Sequence, residues 1–243
     1  MAIDIHGKVV DYKKFTIVLP TLNEEETAPR LVRKLMDRYK GIHIIVEDDS
    51  SDATTAEKIR KIASGSKSVK IVRRREMQKI KGLSSSVIDG ILSSDTEYSI
   101  VMDADFQHPY EKVADIARKL DEGYNIVVAN RKEVKEWPLY RKIISLTLIR
   151  LADFILTAEG RQRCDDVFSG FFGVRCNFFA NIYRNNSKRF VKNGFKILFD
   201  LLKCIDKGSI KICNVPYSFG TRGGGSSKAG VKQAMALLKS FIT

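Results

Sequence analysis

Two aspartates separated by a single residue are the first candidates for chemistry in this sequence. Asp103 and Asp105 follow a short β-rich apolar run and precede Phe106-Gln107-His108-Pro109. Carboxylate oxygens, together with water and phosphate, are the ligands that Mg²⁺ and Mn²⁺ prefer. An isolated pair of this kind is usually a surface turn, but here it stands at the end of a predicted strand. The pair therefore predicts a divalent-metal site that would neutralise a diphosphate leaving group.

Two further polar clusters also follow predicted strands. They are Asn23-Glu24-Glu25 and Glu47-Asp48-Asp49. Parallel strands would bring all three clusters to one edge of the sheet, where such folds bind ligands. We expect Ser51 or Asp52 to cap the following helix. Three consecutive acids repel one another unless some of them bind a donor or a cation, so a carboxylate here could accept hydrogen bonds from a nucleotide base.

The sequence lacks the phosphate-binding glycine loops of other nucleotide enzymes. It contains no Walker-type loop and no G-x-G-x-x-G motif, which argues against kinase and dehydrogenase functions. A nucleotidyltransferase also uses paired acids, but the glycine-rich loop near the amino terminus that would favour it is absent. Any diphosphate must then be held by metal and basic side chains.

The elements that position these clusters alternate between strand and helix through the first 130 residues. Apolar patterning predicts strands at 15–19, 42–46, 69–72, 98–102, 124–129, 169–174 and 210–219, and helices at 24–39, 52–63, 83–92, 109–120, 138–157, 195–205 and 231–242. This order predicts an α/β fold with a doubly wound, mostly parallel sheet flanked by helices. We expect one catalytic domain over 1–230, including a glycine-rich loop at 220–230, and an amphipathic helix over 231–243.

Charge and cysteine content limit the possible partners and the compartment. The chain has 243 residues and a formal net charge of +13, which implies an anionic partner: nucleic acid, lipid headgroups or phosphorylated ligands. Ten Lys or Arg and two acidic residues lie in 57–82, which is equally compatible with a solvated basic face. A nucleic-acid-binding module would not explain the acids at the strand ends. The four cysteines have no C-x-x-C spacing, which predicts reduced thiols in the cytoplasm. We expect neither a signal peptide nor a membrane-spanning segment.

Several motifs occur in an order that resembles one known family. They are Pro20-Thr21-Leu22-Asn23-Glu24, then 46–54, 81–86, 102–109, Asn130-Arg131, 137–145, 166–171 and 222–228. The set resembles the inverting family 2 glycosyltransferases, which have the GT-A fold, and it covers roughly 15–228. The segment 102–109 is similar to the dolichyl-phosphate mannose synthase branch of that family.

The resemblance implies roles for individual residues. The nucleotide-sugar pocket would include Pro20, Leu22, Glu24, Val46, Asp48, Asp103, Ala104, Asp105, Gln107 and Lys228. Mg²⁺ or Mn²⁺ would be held by Asp103, Asp105 and Gln107. The acceptor phosphate would be bound by Arg131, Arg141 and Ser145, and catalysis would depend on Asp105, Arg131 and Arg222.

The resemblance also implies an activity. It is the metal-assisted, inverting transfer of mannose from GDP-mannose to dolichyl phosphate in a single displacement, with a UDP-glucose donor as the alternative. A phosphate monoester is largely anionic at neutral pH, so the acceptor needs no strong general base. A lipid acceptor places the protein at the cytoplasmic face of a membrane, with the helices at 138–157 and 231–242 as candidates for lying on the surface.

Overall fold

The computed structural model describes residues 2–3, 9–133, 139–194 and 196–220. Its strands are β1 (Ala2–Ile3), β2 (Val9–Val10), β3 (Phe15–Thr21), β4 (His43–Asp48), β5 (Val69–Arg73), β6 (Tyr98–Val101), β7 (Ile126–Glu133), β8 (Phe172–Arg175) and β9 (Ile212–Ser218). Its helices are α1 (Thr27–Arg38), α2 (Thr54–Ile62), α3 (Leu83–Leu92), α4 (Val113–Asp121), α5 (Leu139–Ala158), α6 (Cys176–Asn186) and α7 (Ile197–Leu202). Strands β1 and β2 pair as a small antiparallel sheet.

Within the described residues, seven strands form the central sheet, in the order β5-β4-β3-β6-β8-β7-β9. Strand β3 pairs in parallel with β4 and β6, β4 with β5, and β7 with β9. Strand β8 is antiparallel to both of its neighbours. The expected mostly parallel sheet flanked by helices is therefore confirmed. Six strands end at the same side of the sheet, which we call the carboxyl edge.

Helices cover both faces of the sheet. Buried apolar residues of α1 and α4 pack on one face, and those of α3, α5, α6 and α7 pack on the other. Helix α3 lies very close to β3: a Cβ atom added at Gly90 would stand 2.4 Å from a methyl of Val18. Glycine at this position therefore lets the helix approach the strand that leads into the carboxyl edge.

Most sequence-based element boundaries hold within a few residues, but several differ. Helix α1 begins at Thr27 and not at Glu24, because the preceding residues form a turn in which Asn23 has a φ of 52°. The expected helix over 109–120 starts as a 3-10 turn at Tyr110–Lys112. Helix α6 was not predicted, because its many asparagines obscure its apolar stripe. The helix expected at 231–242 lies outside the described residues.

All four cysteines are free in the structure. Within the described ranges, no helix combines the length and the apolar character needed to cross a bilayer.

Candidate active site

The turn after β6 carries the Asp-Ala-Asp motif. Asp105 is buried, and its Oδ1 accepts a hydrogen bond from the backbone N–H of Gln107 at 3.1 Å. Between them Phe106 has a φ of 65°, a left-handed conformation that a bulky side chain rarely adopts. The side chain of Asp103 is 39% exposed. The turn therefore fixes one carboxylate inside the protein and presents the other to solvent.

His108 holds this turn in place. Its Nδ1 accepts the backbone N–H of Asp103 at 3.0 Å, and its ring stacks on Phe171 with the centroids 5.1 Å apart. Tyr217 and Phe219 of the β9 region contact the same ring edge-on. Burial lowers the pKa of His108, although Asp103 partly opposes this shift. The imidazole is therefore neutral at neutral pH, and its hydrogen bond gives it a positioning role.

Arg131, at the carboxyl end of β7, forms a two-point ion pair with Asp166. The Nε–Oδ2 distance is 2.7 Å and the Nη2–Oδ1 distance is 2.9 Å. Burial of the guanidinium opposes its charge, but the hydrogen bond and charge of Asp166 outweigh it and raise the pKa of Arg131. Paired bonds of this kind fix the plane of the guanidinium. Arg131 is thus a permanently charged and rigidly oriented group.

One loop connects the acidic turn to Arg131. In the segment 166–171, which we call the platform loop, Asp166 binds Arg131 and Gly170 lies against Asp103. A Cβ atom added at Gly170 would be 3.7 Å from Oδ2 of Asp103. Ser169 anchors the loop by donating its hydroxyl to the carbonyl of Ala129 at 2.8 Å. A carboxylate and a guanidinium are therefore supported side by side at the carboxyl edge.

Lys196 is a residue of this site that the sequence reasoning missed. Its Nζ lies 3.4 Å from the carbonyl oxygen of Phe168 in the platform loop and 4.9 Å from the centroid of the Phe168 ring. Burial, followed by the positive charge of Arg131, lowers the pKa of Lys196 to about 7, against the opposing effect of Asp166 and Asp103. The only sequence signal is a single cation directly before an apolar helix, and such a signal has little specificity.

The ends of β3 and β4 meet, as the sequence predicted. The Asp48 carboxylate is fully buried and accepts hydrogen bonds from Thr21 Oγ1 at 3.0 Å, the Ser50 amide at 3.2 Å and Arg73 Nη1 at 2.8 Å. Asn23 joins the same region through its backbone N–H, 2.8 Å from Ser50 Oγ. Asp48 was expected to follow the strand, but it is the last residue of β4.

The three consecutive acids are neutralised from within the protein. Arg74 is fully buried, and its guanidinium lies 2.9 Å from Glu47, 3.2 Å from Asp49 and 2.7 Å from Asp89. Burial raises the pKa of Glu47, and Arg74 opposes that rise. Part of the basic run at 57–82 therefore faces inward and is not a solvated surface.

The other expected site residues occupy varied positions. Pro20, Val46 and Ala104 are buried, while Leu22, Glu24, Gln107 and Ser145 are half-buried. The carbonyl of Gln107 accepts the N–H of Gly220 at 3.0 Å, which ties the end of the β9 region to the acidic turn. Ser145 lies on α5, apart from the contacts that join Arg131 to Asp166. Arg222, Lys228 and the side chain of Arg141 lie outside the described residues.

The metal ligands expected from the sequence do not form a closed cage. In the described part of the chain, no three His, Cys, Asp or Glu side chains are grouped in a way that could hold a metal ion. Asp103 and Asp105 nevertheless share one turn beside Arg131 and Lys196, the two cations that contact the platform loop. Mg²⁺ is commonly bound by only one or two carboxylates together with water and substrate phosphate, so this donor set fits such an ion.

Comparisons with known proteins agree with this architecture. A sequence model described as "Glycosyl transferase family 2" matches residues 16–183. The chain is 33% identical to a dolichol-phosphate mannosyltransferase of Pyrococcus furiosus, over 93% of this chain and 62% of that protein. It is 30% identical to the Mycosarcoma maydis protein of the same name, over 93% of this chain and 77% of the relative. The chain thus spans less than two thirds of the Pyrococcus furiosus relative.

A solved structure also has the same fold. Glucosyl-3-phosphoglycerate synthase of Mycobacterium tuberculosis, in complex with Mn²⁺, uridine diphosphate and phosphoglyceric acid, superimposes with a TM-score of 0.63 at 18% identity. The match covers 94% of this chain and 76% of that chain.

Proposed function

Because the chain belongs to glycosyltransferase family 2, we propose that it transfers mannose from GDP-mannose to a polyprenyl phosphate such as dolichyl phosphate. The observation that carries this proposal is the platform loop, which holds Asp103 beside Arg131. Such a reaction brings together two phosphate-bearing substrates, one of which leaves as a nucleoside diphosphate. An acidic turn and a fixed guanidinium, supported by one loop, suit these two groups.

Arg131 is the group that we assign to the acceptor phosphate. Its orientation by Asp166 leaves it rigid, and a guanidinium binds phosphate oxygens in a defined geometry. The acceptor has a second pKa of about 6, so its attacking oxygen is already largely anionic at neutral pH. Catalysis then depends on positioning and charge stabilisation, and it requires no side-chain base. The buried, neutral His108 is compatible with this mechanism, because its Nδ1 is occupied by the Asp103 amide.

Asp103, Asp105 and Gln107 would hold a divalent ion, Mg²⁺ or Mn²⁺, when one is bound. Such an ion supplies Lewis-acid stabilisation of the diphosphate leaving group. The partial exposure of Asp103 leaves that carboxylate accessible, while the hydrogen bond from Gln107 orients the buried Asp105. The Mycobacterium tuberculosis neighbour, whose complex contains Mn²⁺ and uridine diphosphate, is consistent with the use of a divalent metal.

The nucleotide would lie over the ends of β3 and β4. Pro20, Leu22, Glu24, Val46 and Asp48 form this part of the carboxyl edge. Arg222, Lys228 and Arg141 are assigned to the substrate phosphates by resemblance, as is Ser145. The names of the curated relatives favour a mannose donor, whereas the structural neighbour is named glucosyl-3-phosphoglycerate synthase. We therefore propose GDP-mannose, with UDP-glucose as the competing donor.

A lipid acceptor requires contact with a membrane, and α5 offers a suitable face. Among the α5 side chains that the structure describes, the large exposed apolar ones lie on one side of the helix, and Phe154 is 69% exposed. The set comprises Ile143, Leu146, Leu151 and Phe154. Arg150 is exposed within the same face. Apolar side chains around a cation are typical of helices that lie at a membrane surface, and we place this surface at the cytoplasmic face of the membrane.

A transfer assay tests the proposal. Purified protein is incubated with Mn²⁺ or Mg²⁺, dolichyl phosphate in detergent, and radiolabelled GDP-mannose or UDP-glucose in parallel. We expect label from GDP-mannose in the lipid fraction, and a loss of at least about 100-fold in the Asp105→Ala variant. The matched control is Asp37→Ala, which removes an exposed carboxylate of α1. Transfer of label from UDP-glucose alone would show that UDP-glucose, and not GDP-mannose, is the donor. Transfer of label from neither donor would contradict the proposal.

A further inference from the structure

The segment between β5 and α3 exposes apolar side chains that the proposed reaction does not use. Met77 is 61% exposed and Ile80 is 54% exposed, and Leu83 at the start of α3 is also exposed. Arg75, Lys79 and Lys81 alternate with them, against a single acid, Glu76. We call the segment 75–83 the loop patch. Exposed apolar groups interleaved with cations are unusual on a surface that contacts only water.

The loop patch is held in position by the buried Arg74. This arginine donates from Nη2 to the carbonyl of Ile80 at 2.7 Å, and its own carbonyl accepts the N–H of Lys79 at 3.0 Å. The N–H of Met77 bonds to the carbonyl of Arg73 at 3.3 Å, and Gln78 takes a φ of 51° to complete the turn. The ordered backbone therefore presents Met77 and Ile80 outward at a fixed place.

The charges of the loop patch are arranged around its apolar centre. Glu76 is engaged by Arg73, whose Nε lies 3.1 Å from Oε1 of Glu76. Lys79 pairs with Asp89 at 3.3 Å on the inner side, while Arg75 and Lys81 are exposed. The outer surface is consequently positive as well as apolar. This combination matches an anionic bilayer, which offers negative headgroups above an apolar interior.

The position of the loop patch agrees with that partner. The segment follows the carboxyl end of β5, so it lies at the same edge of the sheet as Asp103 and Arg131. It leads into α3, which belongs to the same helical layer as α5. A bilayer that delivers a lipid phosphate to this edge would therefore approach the edge of the sheet at which the loop patch lies.

We infer that the loop patch is a second membrane contact, in which Met77 and Ile80 insert among anionic lipid headgroups beside Arg75 and Lys81. The inference rests on the proposed lipid-phosphate acceptor and extends it. Two separated contacts would fix the orientation of the carboxyl edge toward the bilayer, whereas α5 alone would allow the protein to rotate about the helix axis.

Vesicle flotation of the full chain tests the contact directly, without any measurement of activity. Vesicles contain phosphatidylcholine alone or phosphatidylcholine and phosphatidylglycerol in equal amounts. We expect the Met77→Ser/Ile80→Ser protein to bind the anionic vesicles at least about tenfold more weakly, because two inserted apolar side chains are lost. The control is Leu92→Ser, which changes an exposed apolar residue at the other end of α3 and should leave binding unchanged.

A second variant, with its own control, tests the charged part of the contact. Lys81→Ser should weaken binding to anionic vesicles roughly fivefold and reduce its sensitivity to salt. Lys207→Ser removes an exposed cation before β9, at the opposite edge of the sheet, and should have no effect. Unchanged vesicle binding in both loop-patch variants would overturn the inference. A change in self-association, measured by light scattering, with vesicle binding intact would also overturn it and indicate a second copy as the partner.

Transfer assays separate this inference from the proposed function. The Met77→Ser/Ile80→Ser protein should keep its full rate with acceptor dispersed in detergent and lose rate with acceptor in vesicles. Equal rates in both would contradict the membrane contact alone. Absence of transfer in the unsubstituted protein and in all its variants would contradict the proposed function. The flotation experiment would still show whether the loop patch contacts the membrane.

Discussion

The guanidinium of Arg131 and the carboxylate of Asp166 face each other at 2.7 and 2.9 Å, at the point where β7 meets the platform loop. Asp166 is buried, and Arg131 is mostly buried. Replacing Arg131 with lysine keeps one positive charge but cannot reproduce the two-point contact. We expect Arg131→Lys to lower kcat/KM by about 100-fold, in the range found when a charge-stabilising donor is lost.

The control for this variant is Arg163→Lys, which alters an exposed arginine paired with Asp153 at 3.2 Å. It should retain full activity, since an exposed pair contributes little. Equal activity losses in both variants would show that the two-point contact of Arg131 has no special role.

Lys196 should make the reaction sensitive to pH. Its pKa is lowered to about 7 by burial and by Arg131, with Asp166 and Asp103 opposing. The ammonium form, which would attract a substrate phosphate at this site, is therefore present below pH 7 and is lost as the pH rises above it. We expect kcat/KM to fall by up to about tenfold per pH unit above pH 7.

A Lys196→Arg variant should flatten this profile, because a guanidinium stays charged. The decline should persist in Lys203→Arg, which changes a buried lysine that is paired with Asp200 and not with the platform loop. A decline that is identical in the unsubstituted protein and in Lys196→Arg would assign the pH dependence to another group.

Arg74 should be essential for stability. It is fully buried between Glu47, Asp49 and Asp89, so its removal leaves buried carboxylates without their cation. Breaking a buried ion pair from one side costs about 3–5 kcal/mol. We expect Arg74→Met to lower the free energy of unfolding by about this amount in urea denaturation. Arg75→Met, at the next and exposed position, should change it by no more than about 0.5 kcal/mol.

The concentration of metal ion that the reaction requires should depend on Asp103 as well as on Asp105. Chelation with EDTA should abolish transfer, and added Mn²⁺ should restore it. Asp103→Asn should raise the Mn²⁺ concentration needed for half-maximal rate by about tenfold or more, because one anionic ligand is lost. Asp165→Asn, which removes an exposed carboxylate that accepts from Asn130, should leave that concentration unchanged. Full activity in EDTA would contradict the assigned metal site.

The parts of the fold that follow from periodicity could be predicted from the sequence. The alternation of strand and helix predicted the mostly parallel sheet. Because parallel strands end at the same edge, it also predicted that Asp48 and Asp103 lie at one edge. The same reasoning could not find the cation of the acid cluster, because Arg74 lies 25 residues or more from Glu47 and Asp49 in the chain. Such pairings depend on the register of β4 and β5.

Two other features of the site lie beyond sequence reasoning for the same reason. Lys196 becomes part of the site only because α7 packs behind the platform loop, and its lowered pKa reflects burial that no motif records. His108 was noted only as part of a motif, and its positioning role depends on a stack with Phe171, which is remote in sequence. The roles of Lys196 and His108 thus depend on contacts between residues that are distant in the sequence, which local sequence patterns do not predict.

The stoichiometry of a single reaction tests the proposed mannosyl transfer to a polyprenyl phosphate most directly. GDP release and the mass of the lipid product are measured together, with purified protein, Mn²⁺, GDP-mannose and dolichyl phosphate. We expect one GDP released for each lipid phosphate that gains one hexose, and neither product in the Asp105→Ala protein. GDP release without a hexosyl lipid, or no release together with salt-sensitive binding to nucleic acid, would contradict it.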